Sequence, residues 1–280
     1  MEQVKQKTQV VVVHGIGCGN SKTRVEFSRN LRELVLAGLN ETEHNDYWFE
    51  APWEGVNDSL DEQITKIMED FARRSNLPKY KDYAEQRLGN FCYCCACIAH
   101  LAMQVFLTTI LPKTTDLLLD LPLYLGEPRG ERIRKKVREG VEAHPGCVLV
   151  GHSLGSLICY DLIREIGQEG AVKALVTLGT PIEWVTRIRQ AEDSKGFEEP
   201  LGVGIPWHNF YHPSDPVCLH RGLDERVFQG VVNRKIGVST GSNKLREGFA
   251  AHTSYWKDLD VADVIKQLGG FEEMATGQSV

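Results

Sequence analysis

The stretch that decides the fold is VLVGHSLGS, residues 148–156. Its apolar run, Val148 to Val150, is the body of a buried strand, and the run stops at Gly151. Helical apolar spacing then starts at Leu154 and lasts to about Gly167. Between the two stands Ser153, with a glycine two positions away on either side. So sharp a strand-to-helix reversal forces its middle residue into strained backbone angles and leaves little room for side chains at the flanking positions. The turn lifts the Ser153 hydroxyl above the sheet edge and aims the next helix's N-terminus at it. The pattern predicts a nucleophile elbow with Ser153 as the nucleophile; the alternative is an ordinary tight turn.

Outward from this point, strand and helix signals alternate. Short β-branched or apolar runs occur at 9–13 (QVVVV), 47–51 (YWFEA), 174–178 (ALVTL), 207–212 (WHNFYH) and 231–238 (VVNRKIGV). Helical spacing follows Ser21 up to Leu39, then recurs at about 58–74, 129–143 and 256–268. Alternation of this kind means βαβ units with right-handed crossovers. The expected fold is α/β, a mainly parallel sheet with helices on both faces. With no internal repeat and no low-complexity linker, residues 1–280 read as a single domain, with 77–125 inserted as an apolar cap or lid.

Composition narrows the function classes. The chain has 280 residues, 42 % apolar and 25 % charged, which is ordinary for a globular protein with a substantial core. A net charge of −6 argues against nucleic acid as a partner. No secretory pattern opens the sequence. Of the eight cysteines, four crowd into FCYCCAC (Cys92, Cys94, Cys95, Cys97), and Cys18, Cys147, Cys159 and Cys218 are single. That is not a disulfide framework, so a reducing, cytoplasmic setting is expected. The crowded cysteines overlap within one six-residue run, not in two separated pairs, and no histidine pair accompanies them, so no metal site is expected.

A serine nucleophile needs donors for an oxyanion, a base and an orienting acid. One donor is the Leu154 N–H at the helix start. The second is expected in VVVVHGIG, where Gly15 lets the backbone come close and the Ile16 N–H is the first choice; each such donor is worth about 2.7–4 kcal/mol of barrier. For this chain order the acid and then the histidine follow the serine. His208 and His212 alternate within a strand, as packed or surface residues do. His252, in GFAAHTSYW, falls in an expected loop between the last strand and the last helix, on the rim where parallel strands end. Asp215, in HPSDPV, lies just past the 207–212 strand. It is the expected acid, with Glu183 and Asp224 as alternatives and an Asp–Pro turn as its plain structural reading.

At these residues the chain resembles the α/β-hydrolase superfamily, closest to the intracellular lipases and esterases that carry VHGIG, GHSLG and TLGTP. HPSDPV is also similar to the matching stretch of DDHD-type intracellular phospholipases. The likeness would run from Gln9 to Leu268. It implies Ser153 as nucleophile, Asp215 as acid and His252 as base, with Leu154 and Ile16 as oxyanion donors. Only eight residues precede QVVVV, where many members carry two further strands, so a trimmed sheet of about six parallel strands is expected.

The substrate reading turns on residues 91–125. No Asp, Glu, Lys or Arg occurs from Leu88 to Pro112. Phe91 to Leu111 is long enough to span a bilayer as a helix, but the strands on either side must share one sheet. The segment is expected to be core, a cap over an acyl pocket, or a contact with a membrane surface or a second copy. The expected activity is hydrolysis of carboxylic esters, of lipids or other acyl groups, without a cofactor. The alternatives are an acyltransferase or thioesterase with the same triad, or a non-catalytic binding module.

Overall fold

The computed structural model describes residues 7–15, 21–53, 121, 124–125, 129–167, 170–193, 201–238 and 244–271. The chain forms two compact units, Met1–Pro52 with Arg134–Val280, and Trp53–Ile133. The first unit carries the sheet and the candidate site. The inserted segment 77–125 belongs to the second and lies almost wholly outside the described residues, as does the expected helix at 58–74.

The elements run β1 (Val10–Val13), α1 (Ser21–Val35), α2 (Glu41–Tyr47), β2 (Trp48–Glu50), α3 (Arg129–Glu142), β3 (Cys147–His152), α4 (Leu154–Ile166), β4 (Val172–Leu178), α5 (Ile182–Asp193), β5 (Trp207–Tyr211), β6 (Val231–Lys235), α6 (Lys244–Ser254), a 3-10 turn (Tyr255–Lys257) and α7 (Leu259–Gly269). The strands make one six-stranded sheet in the order β2-β1-β3-β4-β5-β6, and every pairing is parallel. This is the α/β architecture and strand number read from the sequence.

Burial on both faces explains the composition of the central strands. All six residues of β3 and all four of β1 are buried, as parallel strands covered by helices require. One face packs Val10, Val12, Val148, Val150, Val176, Leu178 and Phe210 against Leu31 and Val35 of α1 and Val261 and Ile265 of α7. On β4–β6 a polar ladder crosses the sheet. The Trp207 indole N–H donates to Thr177, whose hydroxyl donates to Asn209, whose amide donates to Asn233. Each of these groups is thereby satisfied, at about 1 kcal/mol net per bond.

Strand order places the site. Between β1 and β3 the order reverses direction, and the ends of those two strands open the crevice in which such sheets bind ligands. The VVVVHG and VLVGHS segments both end there.

Three local expectations are revised. A short helix, α2, precedes β2, where the sequence shows no apolar period. A capping box makes it: the Asn40 side chain accepts from the Glu43 N–H, and Glu43 accepts from the Asn40 N–H. A second helix, α5, follows TLGTP, a stretch to which no helical spacing is assigned from the sequence. His252 sits in the last turn of α6, not in a loop. Among the described residues, no helix is long and apolar enough to cross a membrane.

Candidate active site

Ser153 ends β3 and begins α4 with φ 54° and ψ −127°. For a residue with a side chain this is strained backbone, costing on the order of 1–3 kcal/mol, and it persists only where surrounding structure enforces it. The enforcing contacts are visible. The Ser153 N–H donates to the Leu178 carbonyl at 2.9 Å. A Cβ on Gly155 would collide with the Val13 and His14 carbonyls, and one on Gly151 would stand 2.6 Å from the Ser156 Cα. The Ser156 hydroxyl ties back to the Gly151 carbonyl at 2.7 Å. Glycines at 151 and 155 are thus demanded by close approach of backbone to backbone.

Gly15 is equally constrained, for a Cβ there would lie 2.6 Å from the Ser153 Cβ and 3.2 Å from its Oγ. The end of β1 therefore lies directly against the serine. Leu154, 1 % exposed, opens α4, and its N–H has no partner within the helix because it belongs to the first turn. Ile16 lies outside the described residues.

The Ser153 side chain is 2 % exposed, and its Oγ has no hydrogen-bond partner among the described residues, His252 included. Buried hydroxyls are nearly always paired, so an unpaired one calls for a functional explanation. Catalytic hydrogen bonds in unliganded sites are often unmade and tighten on substrate binding.

Asp215 is fully buried, in the turn after β5. Its Oδ2 accepts from His252 Nδ1 at 3.0 Å and from the Tyr255 hydroxyl at 2.7 Å, and its Oδ1 accepts from the Val217 N–H at 2.9 Å. Burial pushes the carboxyl's pKa up, but the His252 charge and these three donors outweigh it, and the net direction is down. Asp215 therefore stays ionised. A carboxylate can only accept, so Nδ1 of His252 carries the proton that faces Asp215, and in the neutral ring it is Nε2 that bears the lone pair. Asp215 and His252 thus form a hydrogen-bonded carboxylate–imidazole pair.

His252 is tied to the elbow through His152, the residue before the serine. The two rings lie 4.6 Å apart, and His152 Nε2 donates to the His252 carbonyl at 2.7 Å. Burial, and then the His252 charge, lower the His152 pKa to about 3, so this ring is neutral and its proton sits on Nε2. Trp256 packs on the His152 ring at 5.0 Å.

Gly179 joins the parts. It has φ +54°, and a Cβ there would stand 2.6 Å from Asp215 Oδ2, 2.8 Å from Tyr255 Cε2 and 3.1 Å from His252 Nδ1. Because its neighbour Leu178 holds the Ser153 amide, one short segment of backbone spans from the serine to the acid–histidine pair.

The alternative acids are engaged elsewhere. Glu183 Oε1 accepts from Arg187 at 2.9 Å and Arg221 at 2.6 Å. Asp224 is bound bidentately by Arg226. His208 bonds Arg234, and His212 Nδ1 accepts from the Ser214 N–H, closing the turn that presents Asp215. The Cys92–Cys97 run lies outside the described residues. Cys147 and Cys218 are buried thiols whose pKa burial pushes up to about 12, which makes them poor nucleophiles.

Sequence reasoning missed His152 and Tyr255. His152 stands inside GHSLG, where glycine and serine drew the attention. Tyr255 follows His252 by three residues, the spacing that places two side chains on one helical face. No family profile and no curated protein matches the chain.

Proposed function

We propose that the protein is a serine hydrolase of the α/β-hydrolase type that cleaves carboxylic esters, lipid or other acyl esters, through Ser153, Asp215 and His252. The observation that carries this reading is Ser153 itself, a strained residue with a buried, unpartnered hydroxyl at the sheet's switch point, beside an assembled Asp215–His252 pair. The chain order serine, acid, histidine supports it.

In the proposed reaction His252 Nε2 takes the Ser153 proton as Oγ attacks the ester carbonyl. The Leu154 N–H at the start of α4 stabilises the oxyanion, together with a donor from the Gly15–Ile16 loop. Collapse of the tetrahedral intermediate breaks the bond to the alcohol, which leaves with the proton from His252. Water then attacks the acyl-enzyme, gives its proton to His252, and the acid is released as Ser153 recovers its own. Asp215 stabilises the imidazolium in both halves and stays ionised throughout.

A fluorophosphonate probe tests the reading. It should label the wild-type protein at Ser153 and leave Ser153→Ala unlabelled, and p-nitrophenyl esters should be turned over only by the former. Labelling of both at one rate would exclude Ser153 as the nucleophile.

A further inference from the structure

We propose that Tyr255 is a positioning residue of the same site, which holds the Asp215 carboxylate in register with His252 by donating its phenol proton to Oδ2. This inference rests on the triad reading above.

The direction of that proton follows from bonding. The His212 N–H donates to the Tyr255 oxygen at 2.9 Å, and the Tyr255 oxygen lies 2.7 Å from Asp215 Oδ2. An amide N–H can only donate and a carboxylate only accept, so the phenol proton points at Oδ2. Tyr255 is fully buried, and burial followed by the Asp215 charge pushes its pKa well above the ordinary value. It remains a donor at every pH at which the protein works.

The phenol and the imidazole thus share one carboxylate oxygen. The Val217 N–H fixes the other oxygen, and the α-carbon of Gly179 closes the remaining side at distances that admit no methyl group. With Oδ1 and Oδ2 both held, the carboxylate cannot rotate away from Nδ1. The phenol also draws charge from Oδ2, so the carboxylate binds the imidazolium less tightly than an unassisted one would.

That second effect is what a merely space-filling tyrosine would lack. Tyr255→Phe keeps the ring and removes the donor. The His252 titration midpoint should then move up by about half a pH unit or more, because a more basic carboxylate favours the charged imidazole. The other titratable groups facing the pair stay in place in this variant. They are His14 and His152 at the ends of β1 and β3, His212 and Cys218 around the Asp215 turn, Glu247 on α6, and Asp258 and Lys235 beyond His212.

The experiment is a side-chain 15N NMR titration of His252, assigned by the signals lost in His252→Gln, in the wild type and in Tyr255→Phe. A companion carries difluorotyrosine at position 255, which keeps the packing and strengthens the donor, and should move the midpoint down. Opposite displacements support the proposal. A midpoint unchanged in the fluorinated protein, or in Tyr255→Phe where that variant folds, overturns it. The readout needs no turnover: a wild type that neither hydrolyses esters nor takes up fluorophosphonate would refute the hydrolase reading, and the titration would still decide the role of Tyr255.

Discussion

Replacing Gly179 with alanine adds one methyl group where Asp215, Tyr255 and His252 converge. Two effects separate cleanly. Alanine at φ +54° costs about 1–2 kcal/mol wherever it occurs. The added Cβ would also stand 2.6 Å from Asp215 Oδ2 and 2.8 Å from Tyr255 Cε2, against comfortable separations of about 3.5 Å. The carboxylate must therefore retreat by roughly half an ångström or more, and its 3.0 Å bond to His252 is lost or bent. Displacement on that scale costs about 100-fold in rate, and complete loss of the orienting acid about 10⁴-fold. The expected kcat/KM on p-nitrophenyl acetate lies between those limits, with stability down by about 2–4 kcal/mol from strain and overpacking together. Gly146→Ala is the control: Gly146 also has positive φ, +74°, but nothing lies within 4 Å of its missing Cβ. That variant should lose only the strain component in thermal unfolding and keep full activity. Equal kcat/KM in the two variants would refute the claim that Gly179 makes room for the acid–histidine pair.

Ser153→Gly should abolish turnover and yet unfold at higher temperature than the wild type, by about 1–2 kcal/mol, because glycine relieves the backbone at φ 54°. Asp215→Asn should fold and lose about 10⁴-fold in kcat, since the amide favours the wrong imidazole tautomer; full activity with loss in Glu183→Gln would transfer the role of acid to Glu183. His152, lowered to about 3 in the folded protein, takes up a proton near pH 6.5 only when the chain is unfolded. Stability should therefore fall as pH drops below about 6.5 and level off near 3, with about 2 kcal/mol lost from this group by pH 5. His208 and His212 are also lowered and add to the same slope. Urea unfolding at pH 8 and pH 5 should show a smaller loss for His152→Gln, and an unchanged loss would remove His152 as a source.

The sequence made the sheet legible because its central strands are buried on both faces and its turns are marked by glycine. It made the elbow legible because backbone closeness leaves no alternative to glycine at 151 and 155. The sequence also singled out Asp215 and His252 together, and the structure brings the two side chains to 3.0 Å. What escaped was set by polar detail. Helix α2 is held by a side-chain cap with no apolar stripe to betray it. The local setting of His252 was misread because GFAAHTS carries too few apolar residues to show a helical period. Tyr255 matters through one hydroxyl, and nothing in the neighbouring residues says that Asp215 will be its partner. The role of 91–125 depends on residues outside the described ones.

The strand order has a consequence for how the chain is made. β1 has a near neighbour in β2, but its other edge pairs Val10 with Val148, roughly 140 residues further on. At ordinary synthesis speeds of about 5–20 residues per second, β1 and β2 wait on the order of 5–20 s for β3 to be made. Until then the edge of β1 that will lie beside the serine is an open, apolar template for other chains. Contacts so distant also make for slow refolding. Yield during expression should therefore depend on whatever shields β1 during that interval, and slowing synthesis by cooling lengthens the same exposure that it is usually meant to relieve.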